Sequence, residues 1–304
     1  MLVGCTSSPE IKQFIENDAG NLDKKHKIDS VAFYPQDRYQ CGPAALAILL
    51  THTDITITPE ELVDSVYVPD LKGSLQIEIL AATRQQGRLA YELEPILKSL
   101  FKEVSSGHPV LVLQNLGFDV LPKWHYAVVI GYDLENQTVI LHSGTKENYT
   151  MRLVTFERTW RRADNWAMIA VQPGITTSTM NGNSYFQSAV AFERVNPPTM
   201  SEKVYLAGLQ QWVDHRLLNI AYANFLYHHN RLEESIEVYK KVLQTHPSDA
   251  VTHNNLAQVL SEFGDLELAE YHALTATELG GQYSDRFQET LKEIRRKKTD
   301  RSNI

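Results

Sequence analysis

Cys41 stands between an irregular polar stretch and an apolar run, in Phe33-Tyr34-Pro35-Gln36-Asp37-Arg38-Tyr39-Gln40-Cys41-Gly42-Pro43-Ala44-Ala45-Leu46-Ala47. Proline is tolerated in the first turn of a helix, where its missing N–H would have no partner anyway. Pro43 therefore puts Cys41 at a helix N-terminus. The aligned peptide dipoles there favour a negative charge, so the thiol is expected to ionise more readily than a free one. An ionised thiol is a nucleophile, and one that turns over needs a base for its proton and donors for an oxyanion. The competing reading is a small buried hydrophobe, the commonest role of a cysteine in apolar company.

Eleven histidines are available as the base. His52 lies about three helical turns beyond Cys41, His108 precedes Pro109 in a loop, and His26 falls in the polar lead. His215, His228, His229, His246, His253 and His272 belong to a different, downstream region. His125 differs from all of these. It opens the apolar run His125–Tyr132 just after the loop Leu121-Pro122-Lys123-Trp124, and a strand start at the rim of a sheet is where an imidazole can face a cleft.

The elements that must hold these two groups are readable in outline. Ala44–Leu50 is apolar on every side, which predicts a buried helix. Thr58-Pro59-Glu60-Glu61 is a helix start with a capping threonine and early acids. Ser74–Gln86 and Pro95–Phe101 carry helical spacing. The period then changes, and Val110–Leu113, His125–Tyr132, Gln137–Leu141, Leu153–Phe156 and Trp166–Gln172 are expected as strands, the second and third in a hairpin. Helices first and strands later predict an α+β domain with an antiparallel sheet over residues 29–173, preceded by a polar tether over residues 1–28. Residues 174–184, rich in Gly, Ser, Thr and Asn, have the composition of a linker.

Residues 185–297 carry no strand signal. Tyr222-Ala223 recurs as Leu256-Ala257, Leu226 as Leu260, Asn230 as Gly264, Ser235 as Ala269, Tyr239 as Ala273 and Val242 as Ala276, each at an offset of 34. Ala189, Phe192 and Tyr205 fall on the same register more faintly, and Ser284–Arg296 would close the array. This resembles the tetratricopeptide helix–turn–helix repeat. The resemblance implies an all-α solenoid that binds a peptide or protein partner in its concave groove.

Gln36, Cys41-Gly42-Pro43-Ala44-Ala45 and the distant His-Tyr-Ala-Val-Val-Ile-Gly-Tyr-Asp (His125–Asp133) together resemble the papain-like cysteine peptidases of the bacteriocin-processing, double-glycine type, over roughly Val31–Gln172. The resemblance implies that Cys41 attacks a peptide carbonyl, that His125 serves as base and then acid, and that Gln36 with the Cys41 N–H holds the oxyanion. Gln40 is a rival for the last role. The family places an Asp or Asn on the next strand to orient the imidazole. Here that strand reads Val139-Ile140-Leu141-His142-Ser143-Gly144, with no carboxylate, so His142 takes the place, or Ser143 by a shift of one residue. The alternatives to a peptidase are a degenerate, non-catalytic peptide-binding or scaffolding module, and acyl transfer from the thioester to an amine.

Composition narrows the remaining choices. A length of 304 residues allows about two domains. The net charge of −8 argues against a nucleic-acid partner, and Arg295-Arg296-Lys297-Lys298 reads as a solvated helix end. Two cysteines exclude a disulfide framework and a Cys-rich zinc site. No phosphate-binding Gly-Lys-Ser/Thr loop is present, and no metal or cofactor is expected. Leu2-Val3-Gly4-Cys5 followed by Thr6-Ser7-Ser8-Pro9 resembles the lipobox of bacterial lipoproteins, which implies a lipid anchor at Cys5 and a place in the cell envelope facing the periplasm. Only four residues precede Cys5, too few for a signal peptide. The expectation is therefore either an upstream start codon or a chance match, and with a chance match a cytoplasmic protein.

Overall fold

The structure, a computed structural model, describes residues 8–35 and 41–302. The chain forms two compact units, one up to Val204 and one from Tyr205.

In the first unit a short helix α1 (Pro9–Gln13) leads to β1 (Lys25–Lys27). Then come helices α2 (Cys41–His52) and α3 (Pro59–Val66), the small hairpin β2 (Tyr67–Val68) and β3 (Gly73–Ser74), helix α4 (Gln76–Gln85), strand β4 (Leu89–Glu92) and helix α5 (Leu97–Ser105). The strands follow: β5 (Val110–Asn115), β6 (Trp124–Asp133), β7 (Thr138–Ser143) and β8 (Lys146–Arg152), then helix α6 (Leu153–Arg161) and β9 (Ala167–Val171). They assemble as an antiparallel sheet in the order β4-β9-β5-β6-β7-β8, with β1 added beside β6. Helix α2 is buried from Gly42 to Leu50 and packs on β5, β6 and β9. Leu111, Leu113, Tyr126 and Val128 join it in one core. The alternate residues turn to the other face, where the Gln114 amide donates to Thr159 of α6 at 2.6 Å. Each fully buried Leu or Ile of α2 contributes about 1.5–3 kcal/mol, which holds the start of this helix against the sheet.

Three expectations are corrected here. Leu153–Phe156 is not a strand but the first turn of α6, whose Leu153, Phe156 and Trp160 are buried at helical spacing. The strand of that region is β8, whose residues are mostly exposed, so it carried no apolar alternation to find. The lead is a tether only in part: Ile11 is 0% and Phe14 3% exposed, the Phe14 ring lies 5.3 Å from that of Phe101, and β1 pairs with β6. Gly131 makes that pairing possible, because a Cβ there would come within 2.8 Å of the His26 carbonyl. The stretch expected as a linker is held to the first unit. Thr177 donates to the buried Glu103, the Asn181 N–H donates to the Tyr91 hydroxyl at 3.0 Å, and helix α7 (Gly182–Glu193) packs on β4. Hydroxyls and amides that read as linker composition are used here as hydrogen-bonding groups. The compact unit accordingly ends within helix α8 (Pro198–Gln211).

The second unit is helical. Helices α9 (Arg216–His228) and α10 (Leu232–Thr245) form one pair, α11 (Ala250–Phe263) and α12 (Leu266–Leu279) a second, and α13 (Ser284–Ser302) packs on α11 and α12. The residues on the 34-residue register are its interior: Ala223, Leu226, Ser235, Tyr239 and Val242 are buried, as are Ala257, Leu260, Ala269, Ala273 and Ala276. The matched turn residues Asn230 and Gly264 both take left-handed backbone, with φ of 58° and 99°, a conformation that glycine and asparagine adopt at little cost. Among the described residues no helix is long and apolar enough to cross a membrane.

Candidate active site

Cys41 is the first residue of α2, and Gly42 allows the helix to begin where it does. A Cβ at Gly42 would collide with the side chain of Ser74 on β3 and lie 3.2 Å from Val66. Gly42→Ala is therefore expected to destabilise the protein by about 1–3 kcal/mol, the usual cost of overpacking, seen as a lowered Tm. Adding Ser74→Gly should recover most of the loss. A Tm unchanged by Gly42→Ala would contradict this packing.

The backbone N–H of Tyr126 is aimed at the Cys41 thiol and favours its ionised form. Sheet geometry explains why that donor is free. The N–H of Leu113, the β5 partner of Tyr126, is turned to Trp166 on the β9 side. Tyr126 therefore points its own N–H away from β5 and towards β7, whose pairing with β6 reaches only as far as Val128. Cys41 thus lies beside the unpaired end of that ladder, where the residue next to Tyr126 is His125. The Tyr126 ring anchors the same spot from the core side, its hydroxyl donating to the Ser74 carbonyl at 3.1 Å.

His125 is the second residue of β6. Its Nε2 lies 2.9 Å from the Ser143 hydroxyl at the end of β7. Its Nδ1 has no hydrogen-bond partner among the described residues. The His125–Ser143 pair and the Cys41 end of α2 thus lie at the same end of the β6–β7 ladder. His142 does not join them. It shares the face of Val128, its β6 partner; its Nδ1 accepts from the Asn148 N–H at 3.2 Å and its Nε2 lies 3.3 Å from the Val31 carbonyl. The Asn148 donor fixes Nδ1 as the acceptor, so Nε2 carries the proton and donates to Val31. His142 therefore ties down the segment leading towards residue 36, and its neighbour Ser143 meets the imidazole. Neighbouring strand residues face opposite sides, so the choice between them depends on register, which the sequence left open.

Electrostatics correct a further expectation. Burial pushes the Cys41 thiol above its ordinary value, and the N–H groups of Tyr126, Cys41 and Gly42 offset this only in part. Burial, with the nearby Lys123 charge, holds His125 down at about 4. At neutral pH the pair rests as thiol and neutral imidazole. Burial has outweighed the helix dipole. Between pH 4 and 6.5 the unfolded chain binds the proton that the folded His125 refuses, so stability rises with pH across that window and is complete above it. Urea unfolding at pH 5 should show a deficit on the order of 1–2 kcal/mol relative to pH 7, and His125→Gln should remove that part of the pH dependence.

Gln36, its rival Gln40 and Cys5 lie outside the described residues. Among the described residues no cluster of three or more His, Cys, Asp or Glu side chains could hold a metal ion.

The first unit is thus an α+β domain with a histidine at the rim of its antiparallel sheet and a cysteine on the first turn of its buried helix. Residues 28–168 match the Peptidase_C39 like family and residues 238–271 match a tetratricopeptide repeat. The chain thus has a C39-like α+β sheet domain followed by tetratricopeptide-like helices. Similar solved structures include a protein described as a C39-like peptidase from Bacillus anthracis, 18% identical, with a TM-score of 0.42 over 49% of this chain and 98% of that one. The peptidase domain of Streptococcus ComA, a bi-functional ABC transporter involved in quorum sensing, is 18% identical, with a TM-score of 0.39 over 47% and 98%. MamA (residue 41 to its end) from Desulfovibrio magneticus RS-1 is 15% identical, with a TM-score of 0.36 over 40% and 69%. No curated protein matches the chain.

Proposed function

We propose that this protein is a cysteine peptidase that cleaves a peptide or protein substrate. One observation carries the reading: Cys41 begins its helix beside Tyr126, and the next residue in the strand, His125, is tethered through Nε2 to Ser143 and keeps Nδ1 open. With both groups uncharged at rest, attack is general-base assisted. As sulfur bonds to the carbonyl carbon, its proton passes to Nδ1 of His125. The carbonyl π pair moves to oxygen, where the Cys41 N–H and Gln36 are the proposed donors. Collapse breaks the C–N bond, and the imidazolium returns its proton to the leaving amine. Water, deprotonated by the same imidazole, then adds to the thioester carbonyl; the C–S bond breaks, and the imidazolium returns the proton to the departing Cys41 sulfur. The Ser143 hydroxyl accepts a hydrogen bond from Nε2–H throughout and orients the ring; His142 holds the Val31 segment instead.

The repeats are proposed to recruit the substrate or a protein partner. A cavity of about 670 Å³ in the second unit is lined by Asn224, Tyr239, Asn255, Gln258 and Arg286, amide and aromatic groups suited to main-chain peptide groups. We further propose that Cys5 carries a lipid anchor and that the protein works at the bacterial cell envelope. Fatty-acid labelling that persists in Cys5→Ser would refute the anchor.

The test of the activity is a proteome-derived peptide mixture incubated with wild type and with Cys41→Ala, read by mass spectrometry of new N-termini. New termini confined to wild type support the peptidase. A second reading, a non-catalytic peptide-binding domain, is favoured by the uncharged pair and by the hydroxyl where a carboxylate was expected. It predicts identical peptide profiles for the two proteins.

A further inference from the structure

The loop joining β5 to β6 is built rigidly, yet it presents an apolar tip to solvent. Phe118 is 74%, Val120 94%, Leu121 74% and Trp124 55% exposed. The brace beneath them is extensive. The buried Asn115 carboxamide oxygen accepts from the N–H groups of Gly117 and Lys123, both at 2.9 Å, and Phe118 and Leu121 exchange backbone hydrogen bonds at 3.2 and 3.0 Å. Arg162, at the end of α6, donates to the Gly117 carbonyl. A loop without a partner lowers its free energy by folding such side chains inward. This one is held open.

Two observations say what covers it. The first is charge: on a chain of net charge −8, the tip and the helix that braces it carry Lys123, Arg158, Arg161 and Arg162 against Asp119 and Glu157, with Arg158 and Arg161 exposed and Arg161 paired with Glu157 at 3.2 Å. The second is where the N-terminal lead arrives. Helix α1 packs on α6, and Ser8 and Glu10 lie within interaction range of Glu157 on α6. Glu157 precedes Arg162 by only five residues, about 7.5 Å of helix. Cys5 precedes Ser8 by three, a span of at most about 11 Å.

We infer that the Phe118–Trp124 tip, with the arginines of α6 beside it, is a membrane-contact surface that inserts its apolar side chains among anionic lipids. Apolar side chains that enter the acyl boundary beside cations that pair with headgroup phosphates form the usual interfacial combination. Since Trp124 adjoins His125, the contact would turn the cleft towards the bilayer. The inference deepens the envelope placement proposed above and rests on it for its biological setting, but the affinity of the tip can be measured without the anchor.

The experiment uses the full chain carrying Cys5→Ser, with co-sedimentation on phosphatidylglycerol-containing vesicles and on pure phosphatidylcholine vesicles. The expected result is binding to the anionic vesicles that falls at least ~10-fold in the triple variant Phe118→Ser, Val120→Ser, Leu121→Ser. Arg158→Glu should weaken binding to the anionic vesicles and leave phosphatidylcholine binding unchanged. All four residues are exposed, so circular dichroism should show folded proteins. Absence of vesicle binding by the parent, or equal binding by the triple variant, overturns the inference. So does loss of peptide cleavage in vesicle-free solution by a triple variant that still binds vesicles, which would make the tip a substrate-docking surface. The vesicle measurement reads the same whether or not the peptidase reading survives.

Discussion

Cys41→Ala is expected to abolish hydrolysis, lowering kcat/KM by at least ~10³-fold while leaving the fold intact. The side chain is only half-buried, it opens its helix, and alanine is the best helix former, so circular dichroism and Tm should stay close to those of the parent. His125→Ala removes the proton acceptor and should cost ~10²–10⁴-fold, the usual weight of a positioned general base. The double variant should be little worse than either single one, since the two groups act as a unit. Steady-state hydrolysis of a peptide identified in the N-terminal survey measures all three. Turnover by Cys41→Ala at the wild-type rate would remove the nucleophile from the account.

The second large effect should be a gain. Ser143→Asp puts a carboxylate where a hydroxyl now sits 2.9 Å from His125 Nε2. An opposite charge at that range raises an imidazole pKa by about 1–3 units, against the burial and the Lys123 charge that now hold it down. A more basic His125 takes the thiol proton more readily and stabilises the imidazolium left behind. Alkylation of Cys41 by iodoacetamide at pH 7 should accelerate by ~10-fold or more. Its pH profile should move from a limb that rises only above the ordinary thiol range towards a plateau starting near neutrality. Ser143→Ala should slow peptide cleavage by roughly 10-fold, the worth of one orienting hydrogen bond. If Ser143→Asp leaves the profile where it is, Ser143 does not govern the imidazole.

Local chemistry made part of this site legible in the sequence. Pro43 and the apolar run after it announced the helix that Cys41 begins, and the apolar alternation from His125 announced its strand. The 34-residue recurrence, down to Asn230 and Gly264 at matching turns, announced the repeats. What stayed hidden depends on tertiary placement. Whether His142 or Ser143 faces the imidazole is a question of register, because a shift of one residue exchanges the two faces of a strand. The ionisation of the thiol was misjudged because the dipole of α2 can be read from the sequence, whereas the depth of burial at its first residue cannot. Strand β8 escaped notice as an exposed edge without apolar alternation. Thr177 and Asn181 read as linker because the partners that give them a structural role, Glu103 and Tyr91, lie more than seventy residues earlier in the chain.

The most direct test of the central claim is the labelling rate of Cys41 by an electrophilic peptide probe, a peptide vinyl sulfone, at pH 7 in the folded protein, compared between wild type and His125→Ala. The account predicts stoichiometric modification of Cys41 in the wild type and a rate at least ~10²-fold lower in the variant. Equal rates in the two proteins would show that the imidazole of residue 125 does not serve the sulfur of residue 41, and would contradict the account.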